Sequence, residues 1–281
     1  MKALILRKLL CDRPFQYVKK MPVKNTPYLM VKYAIMPEEI RTAWVKVPNN
    51  SLEIDAYFAA PIETHSGGAA IIVIQEIFGV NSHIQQVTER IAREGYVAIA
   101  PAIFQRTAPG FSVGYSDEDT QHGRIHKDET RASELLSDIS ATIAYLKSLP
   151  AMQNAVIGTI GFCFGGHVVY LAATLPDVKA TASFYGAGIA TTTPGGGAPT
   201  IAQTPNIKGT LYAFFGTQDP LIPVEQIDQV EAALQAAHTD HQVFRYPATH
   251  GFFCDQRESY NPTAAVDAWK HVKELFSRLT H

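Results

Sequence analysis

Val156-Ile157-Gly158-Thr159-Ile160-Gly161-Phe162-Cys163-Phe164-Gly165-Gly166 is the stretch whose reading decides the architecture. Its first seven residues read as a buried strand, and the small and apolar residues from Gly165 to Thr174 read as a helix. Between them, Gly161-Phe162-Cys163-Phe164-Gly165 has the form G-x-S-x-G with cysteine in the serine position, the pattern of a very tight strand-to-helix turn that carries a nucleophile. The turn accounts for the glycines: it crowds its neighbours, so the flanking positions must lack side chains. It also sets the cysteine at a helix N-terminus, where the dipole favours a developing thiolate. A structural cysteine buried in a Gly-rich turn looks the same locally, so the context decides between the two.

That context is a regular alternation. Thr42 to Val47 and Glu53 to Ala59 read as paired strands around a turn at Pro48-Asn49-Asn50. Ala69 to Ile74 is a continuous apolar run of the kind buried on both faces of a parallel sheet. Helical spacing follows over 83–94, then an apolar strand from Tyr96 to Ala100, a polar, Gly-containing stretch over 105–125, and a helical pattern over 128–148. Beyond the cysteine turn come strands at Ala180–Tyr185, Leu211–Phe215 and Gln242–Tyr246, with helices over 223–237 and 263–279. Strands alternating with helices predict an α/β fold: a mostly parallel central sheet with helices on both faces. The segment 187–206, with Gly195-Gly196-Gly197, is a long loop of the kind found at a functional edge. Residues 1–40 carry four prolines and no sustained period, so they read as an irregular N-terminal extension, either an arm or a leader, ahead of one domain over 41–281.

Composition narrows the function class. The 281 residues carry 24 Lys+Arg against 26 Asp+Glu, and this near-neutral balance without a basic run argues against a nucleic-acid partner. No stretch approaches the roughly 18 apolar residues of a membrane span. The apolar run before Arg7 and Lys8 is too short for a signal peptide. Three widely separated cysteines, Cys11, Cys163 and Cys254, form no disulfide framework. A soluble, cytoplasmic protein is expected.

Two further residues fall in telling places. The strand Leu211–Phe215 runs into Gly216-Thr217-Gln218-Asp219-Pro220, and the next strand runs into Pro247-Ala248-Thr249-His250-Gly251. Asp219 and His250 therefore stand just past strand carboxyl ends, where open α/β sheets build their sites. Cys163, Asp219 and His250 follow the chain order nucleophile, acid, histidine of the α/β-hydrolase fold. His250 and Cys254 are four apart, but a structural zinc site wants four ligands at close spacings, so neither a metal nor a cofactor is expected.

The sequence resembles the dienelactone hydrolase (carboxymethylenebutenolidase) family of α/β-hydrolases. The resemblance is carried by Gln75-Glu76-Ile77-Phe78-Gly79-Val80-Asn81 after the central strand, Pro101, the Arg106-Thr107-Ala108-Pro109-Gly110 turn, the cysteine turn, Asp219 and His250. It implies a cysteine esterase or lactonase with a small-molecule ester or lactone substrate. It also implies that Glu76 sits beside Cys163 and helps control the thiol proton, while Asp219 orients His250. The backbone N–H groups of Ile77 and Phe164 are the expected oxyanion hole. Acyl transfer by the same triad, or a silent binding protein on this fold, are the alternatives.

One departure bears on substrate. Family members that grip a substrate carboxylate use two arginines, one of them four residues after the histidine, where this chain has Cys254. Arg124 and Arg257 are the nearest candidates, the latter three residues late, and His122 cannot replace a bidentate guanidinium. Phe78, Tyr185 and Phe252 are expected pocket residues beside Phe104, Phe162, Phe164 and Phe253.

Overall fold

Ala69–Ile74 forms a strand in which every residue is buried, and successive side chains enter different cores. Ile71 and Val73 pack with Ile84, Val87, Ile91, Trp269 and Val272, whereas Ala70, Ile72 and Ile74 pack with Leu135, Ile139, Ile143 and Val168. Period-two alternation of an all-apolar strand needs helices on both faces. Each fully buried aliphatic side chain contributes about 1.5–3 kcal/mol relative to an exposed one.

The structure, a computed structural model, describes residues 39–63 and 68–280. The extension expected over 1–40, with Cys11, lies almost wholly outside the described residues. The strands are β1 (Ile40–Asn49), β2 (Leu52–Pro61), β3 (Ala69–Ile74), β4 (Val97–Pro101), β5 (Val156–Phe162), β6 (Val178–Phe184), β7 (Thr210–Gly216) and β8 (His241–Tyr246). The helices are α1 (Ser82–Arg93), α2 (Asp117–Asp128), α3 (Ala132–Ser148), α4 (Phe164–Ala172), α5 (Val224–Ala236) and α6 (Pro262–Ser277). The strands form one sheet in the order β1-β2-β4-β3-β5-β6-β7-β8. β1 and β2 are antiparallel, as are β2 and β4; the remaining neighbours are parallel. The carboxyl ends of β3, β5, β7 and β8 therefore share one edge of the sheet. Glu76, Cys163, Asp219 and His250 all follow strands at that edge.

Three local expectations change. The hairpin loop between β1 and β2 is Asn50-Ser51, not Pro48-Asn49-Asn50, because Pro48 pairs with Glu53 in the edge strand and Asn50 supplies the positive φ of 54°. The polar stretch over 105–125 contains most of α2, whose N-terminus is closed by Ser116 and Asp119 in a reciprocal capping box. Gly123 is the one buried residue of α2, so no apolar stripe announces the helix. A Cβ at Gly123 would stand 2.3 Å from the Ile77 carbonyl oxygen, so α2 lies directly on the loop after β3. The long loop over 187–206 includes a 3₁₀ helix, Thr200–Asn206. Buried His167 anchors it, with Nε2 2.7 Å from Thr200 Oγ1 and Nδ1 3.0 Å from the Ala187 carbonyl.

Candidate active site

Cys163 caps α4 with φ 55° and ψ −117°, a conformation that costs a side-chain-bearing residue strain. The surroundings enforce it. A Cβ on Gly161 would stand 2.1 Å from the Gly165 carbonyl oxygen, and one on Gly165 would stand 2.4 and 2.3 Å from the carbonyl oxygens of Ile74 and Gln75. The Cys163 N–H donates to Phe184 O at 3.0 Å, tying the turn to β6. Cys163 is half-buried while the first residues of α4 behind it are buried, so its sulfur is presented above the helix N-terminus.

Asp219 and His250 come from two laced loops. The N–H groups of Thr217 and Gln218 donate to the carbonyls of Tyr246 and Ala248 at 2.7 and 3.1 Å. Asp219 Oδ1 accepts from the Leu221 N–H at 2.8 Å, which fixes the carboxylate, and Oδ2 lies 2.6 Å from His250 Nδ1. Both residues are buried. Burial opposes a charged ring, but Cys163 and Asp219 outweigh it and lift the His250 pKa to about 10. His250 Nε2 is buried and makes no hydrogen bond among the described residues, so it is the ring nitrogen left for chemistry. The Tyr185 ring stands edge-on to His250 at 5.2 Å. Its hydroxyl is buried without a partner, and burial raises its pKa well above the usual phenol value.

Glu76 lies in the loop after β3, almost fully buried. Its Oε1 accepts from Arg257 Nη1 at 3.1 Å, while Oε2 is buried without a partner. The Arg257 guanidinium also lies 5.7 Å from the Phe78 ring centre and 5.6 Å from that of Tyr115. The sequence places Arg257 three residues too late for the family's second arginine; the structure sets it against Glu76. Successive turns run from Cys254 N to Gly251 O, Arg257 N to Cys254 O and Tyr260 N to Arg257 O, each at 3.0–3.2 Å, and fold the segment back on itself. Arg124 is not brought to this cluster: it is exposed on α2, without an ion-pair or hydrogen-bond partner among the described residues.

The other expected residues divide by depth. Ile77 and Phe164 are buried beside the cysteine turn, and their N–H groups donate to no acceptor among the described residues. Phe78 packs edge-on to Tyr115 at 4.7 Å. Phe252 is fully buried among Tyr185, Tyr246 and Phe184, which makes it a support beneath His250 rather than a lining side chain. Cys254 is fully buried, and its thiol donates to the Tyr115 hydroxyl at 3.3 Å. Burial, with Glu76 adding to it, pushes that thiol up to about 11. With His250 on Asp219 and Cys254 on Tyr115, the two residues spaced for a metal face different partners. Tyr115 itself has no signal in the sequence, since it stands in an aperiodic stretch before α2.

Comparison with known proteins identifies the family. A profile of the Dienelactone hydrolase family matches residues 54–280. A Synechocystis protein named "Putative carboxymethylenebutenolidase" is 57% identical over 242 residues, covering 86% of this chain and 98% of its own. A Yersinia pestis protein of the same name is 31% identical over 250 residues, covering 88% and 91%. Among solved structures, a Klebsiella pneumoniae protein named "Putative Dienelactone Hydrolase" superposes with TM-score 0.78 at 25% identity, covering 86% of this chain and 100% of that one. The chain therefore belongs to the dienelactone hydrolase family, carboxylic ester hydrolases of the α/β-hydrolase fold.

Proposed function

We propose that the protein hydrolyses a small ester or lactone through a thioester on Cys163. The observation that carries this reading is the 2.6 Å Asp219–His250 hydrogen bond, which leaves His250 Nε2 without a partner while the charge of the ring is coupled to Cys163. His250 takes the thiol proton and stands as imidazolium beside the thiolate, which fits its raised pKa. The sulfur attacks the carbonyl carbon and the π pair moves to oxygen, where the N–H groups of Ile77 and Phe164 receive it. Collapse breaks the C–O bond, and the leaving alkoxide takes the proton from His250 Nε2. Water then gives a proton to Nε2, attacks the thioester, and expels Cys163 as thiolate. In a lactone the alkoxide stays tethered to the acyl group, and hydrolysis releases a hydroxy acid.

Glu76, by resemblance, governs the Cys163 proton, and Arg257 is the group that holds it. Two unpaired thiols among the described residues suit a reducing, cytoplasmic setting. No helix among those residues is long and apolar enough to cross a membrane. Cys163→Ala tests the reading: it should abolish turnover of simple esters and lactones, and wild-type rates in the variant would remove Cys163 from the chemistry.

A further inference from the structure

The loop after β3 is gripped from two sides by backbone. On one side α4 meets it through Gly165, where a Cβ would stand 2.4 and 2.3 Å from the carbonyl oxygens of Ile74 and Gln75. On the other side runs the segment that leads into α2. Gly79 and Ser112 form an antiparallel bridge, the Val113 N–H donates to Phe78 O at 3.0 Å, and Asn81 Nδ2 donates to Val113 O at 3.3 Å. α2 then passes over the loop: a Cβ on Gly123 would stand 2.3 Å from Ile77 O and 3.1 Å from Ile77 Cβ. The Glu76–Ile77 peptide, whose N–H is the oxyanion donor proposed above, lies between the Gly165 and Gly123 contacts.

Gly123 does nothing for its own helix. Alanine is the better helix former, and Gly123 is not among the glycines with positive φ. Its missing side chain serves the approach to Ile77, and it is the one buried residue of α2. The same segment also reaches the second donor. His126 of α2 and Phe111 meet edge-on at 4.6 Å, both pack on Phe104 at 6.0 and 6.1 Å, and Phe104 stacks on Phe164 at 6.2 Å. Residues 111–126 therefore touch Ile77 directly and Phe164 through one shared ring.

We propose that residues 111–126 form a clamp that sets the oxyanion hole, with Gly123 as its positioning residue. The proposal rests on the ester-hydrolase reading above and deepens it. Donors in such a hole act because they already point at the place where the oxyanion forms. A peptide held by backbone contacts on both sides keeps that aim when charge develops, whereas displacement by about 1 Å can cost about 100-fold in rate. Gly123 touches no reacting atom and acts only through the Ile77 peptide.

The test compares Gly123→Ala and Val113→Pro, which deletes the N–H on Phe78 O, with the parent and with Gln121→Ala on the exposed face of α2. Each is assayed with a simple ester. Each is also titrated with the trifluoromethyl ketone of the same shape, whose carbonyl carbon takes the Cys163 thiolate and leaves an oxyanion in the hole, and with the matching secondary alcohol, which forms none. Gly123→Ala should lower kcat by about 10–100-fold with KM within about 3-fold, and weaken the ketone by the same factor as kcat/KM while leaving the alcohol unchanged. Val113→Pro should act in the same direction, and Gln121→Ala should match the parent. A merely structural role would reduce the amount of folded enzyme and leave the ketone's inhibition constant where it was. That outcome, or parental kcat in both clamp variants, overturns the proposal while the hydrolase reading stands. If neither variant folds, the segment serves folding rather than positioning and the proposal falls. A parent protein that hydrolyses the ester without using Cys163 overturns the reading beneath it.

Discussion

Arg257 Nη1 lies 3.1 Å from Glu76 Oε1, an ion pair that joins residues 181 positions apart across the mouth of the sheet edge. The Glu76 side chain is 1% exposed, and Arg257 is the cation in contact with it. Removing one member of such a buried pair costs about 3–5 kcal/mol, because the other is left uncompensated. Arg257→Leu should therefore lower stability by an amount of that order in chemical denaturation and alter the pH profile of turnover. A variant with wild-type stability and an unchanged profile would show that Glu76 does not rely on Arg257.

The His250 ring should titrate far above an ordinary histidine. Its folded pKa of about 10 exceeds the ordinary value of 6.5, so the ring contributes stability that is fully present below about pH 6.5 and lost as pH rises toward 10. Cys163→Ala removes one of the two groups that raise it, and the midpoint should fall. Nuclear magnetic resonance of the His250 ring protons reads both values directly. A wild-type midpoint near 6.5, or one indifferent to the substitution, would contradict the proposed coupling.

Gly165→Ala should damage the turn itself. The added methyl would meet two backbone carbonyls at 2.3 and 2.4 Å, and backbone cannot yield as a flexible side chain can. We expect destabilisation of at least about 2 kcal/mol together with loss of turnover, measured by denaturation and by assay. An alanine variant as stable and active as the parent would mean that the cysteine turn tolerates more room than its geometry provides.

Asn81→Ala removes both the cap of α1 and the amide that holds Tyr115. Loss of the cap alone costs about 1 kcal/mol. Asn81→Asp keeps the capping oxygen but not the amide donor to Tyr115, so it should retain most of the parent's thermal stability. Thermal denaturation checks this, and an equal loss of stability in the two variants would show that the capping oxygen is not what Asn81 contributes to α1.

The parts of the site that could be read from the sequence are those fixed by local sterics and strand position. The glycines around Cys163 report the turn, because no other residue fits against the carbonyls of Ile74, Gln75 and Gly165. Asp219 and His250 stand out because each follows an apolar strand, and parallel strands bring their carboxyl ends to one edge. Arg257 was harder to place, since its position depends on the run of turns after His250, and counting residues from the histidine assumes an extended chain. Tyr115 and α2 could not be read at all: α2 buries only Gly123, and the stretch before it has no period. The sheet followed from hydrophobic alternation, and the missing pieces are polar segments whose placement is set by tertiary contacts.

The most direct test of the central claim is mass spectrometry of the protein quenched during turnover of a slowly hydrolysed ester. The account predicts an adduct of the acyl mass on the peptide carrying Cys163, absent in Cys163→Ala. Full turnover with no acyl adduct on Cys163, or an adduct on another residue, would contradict it.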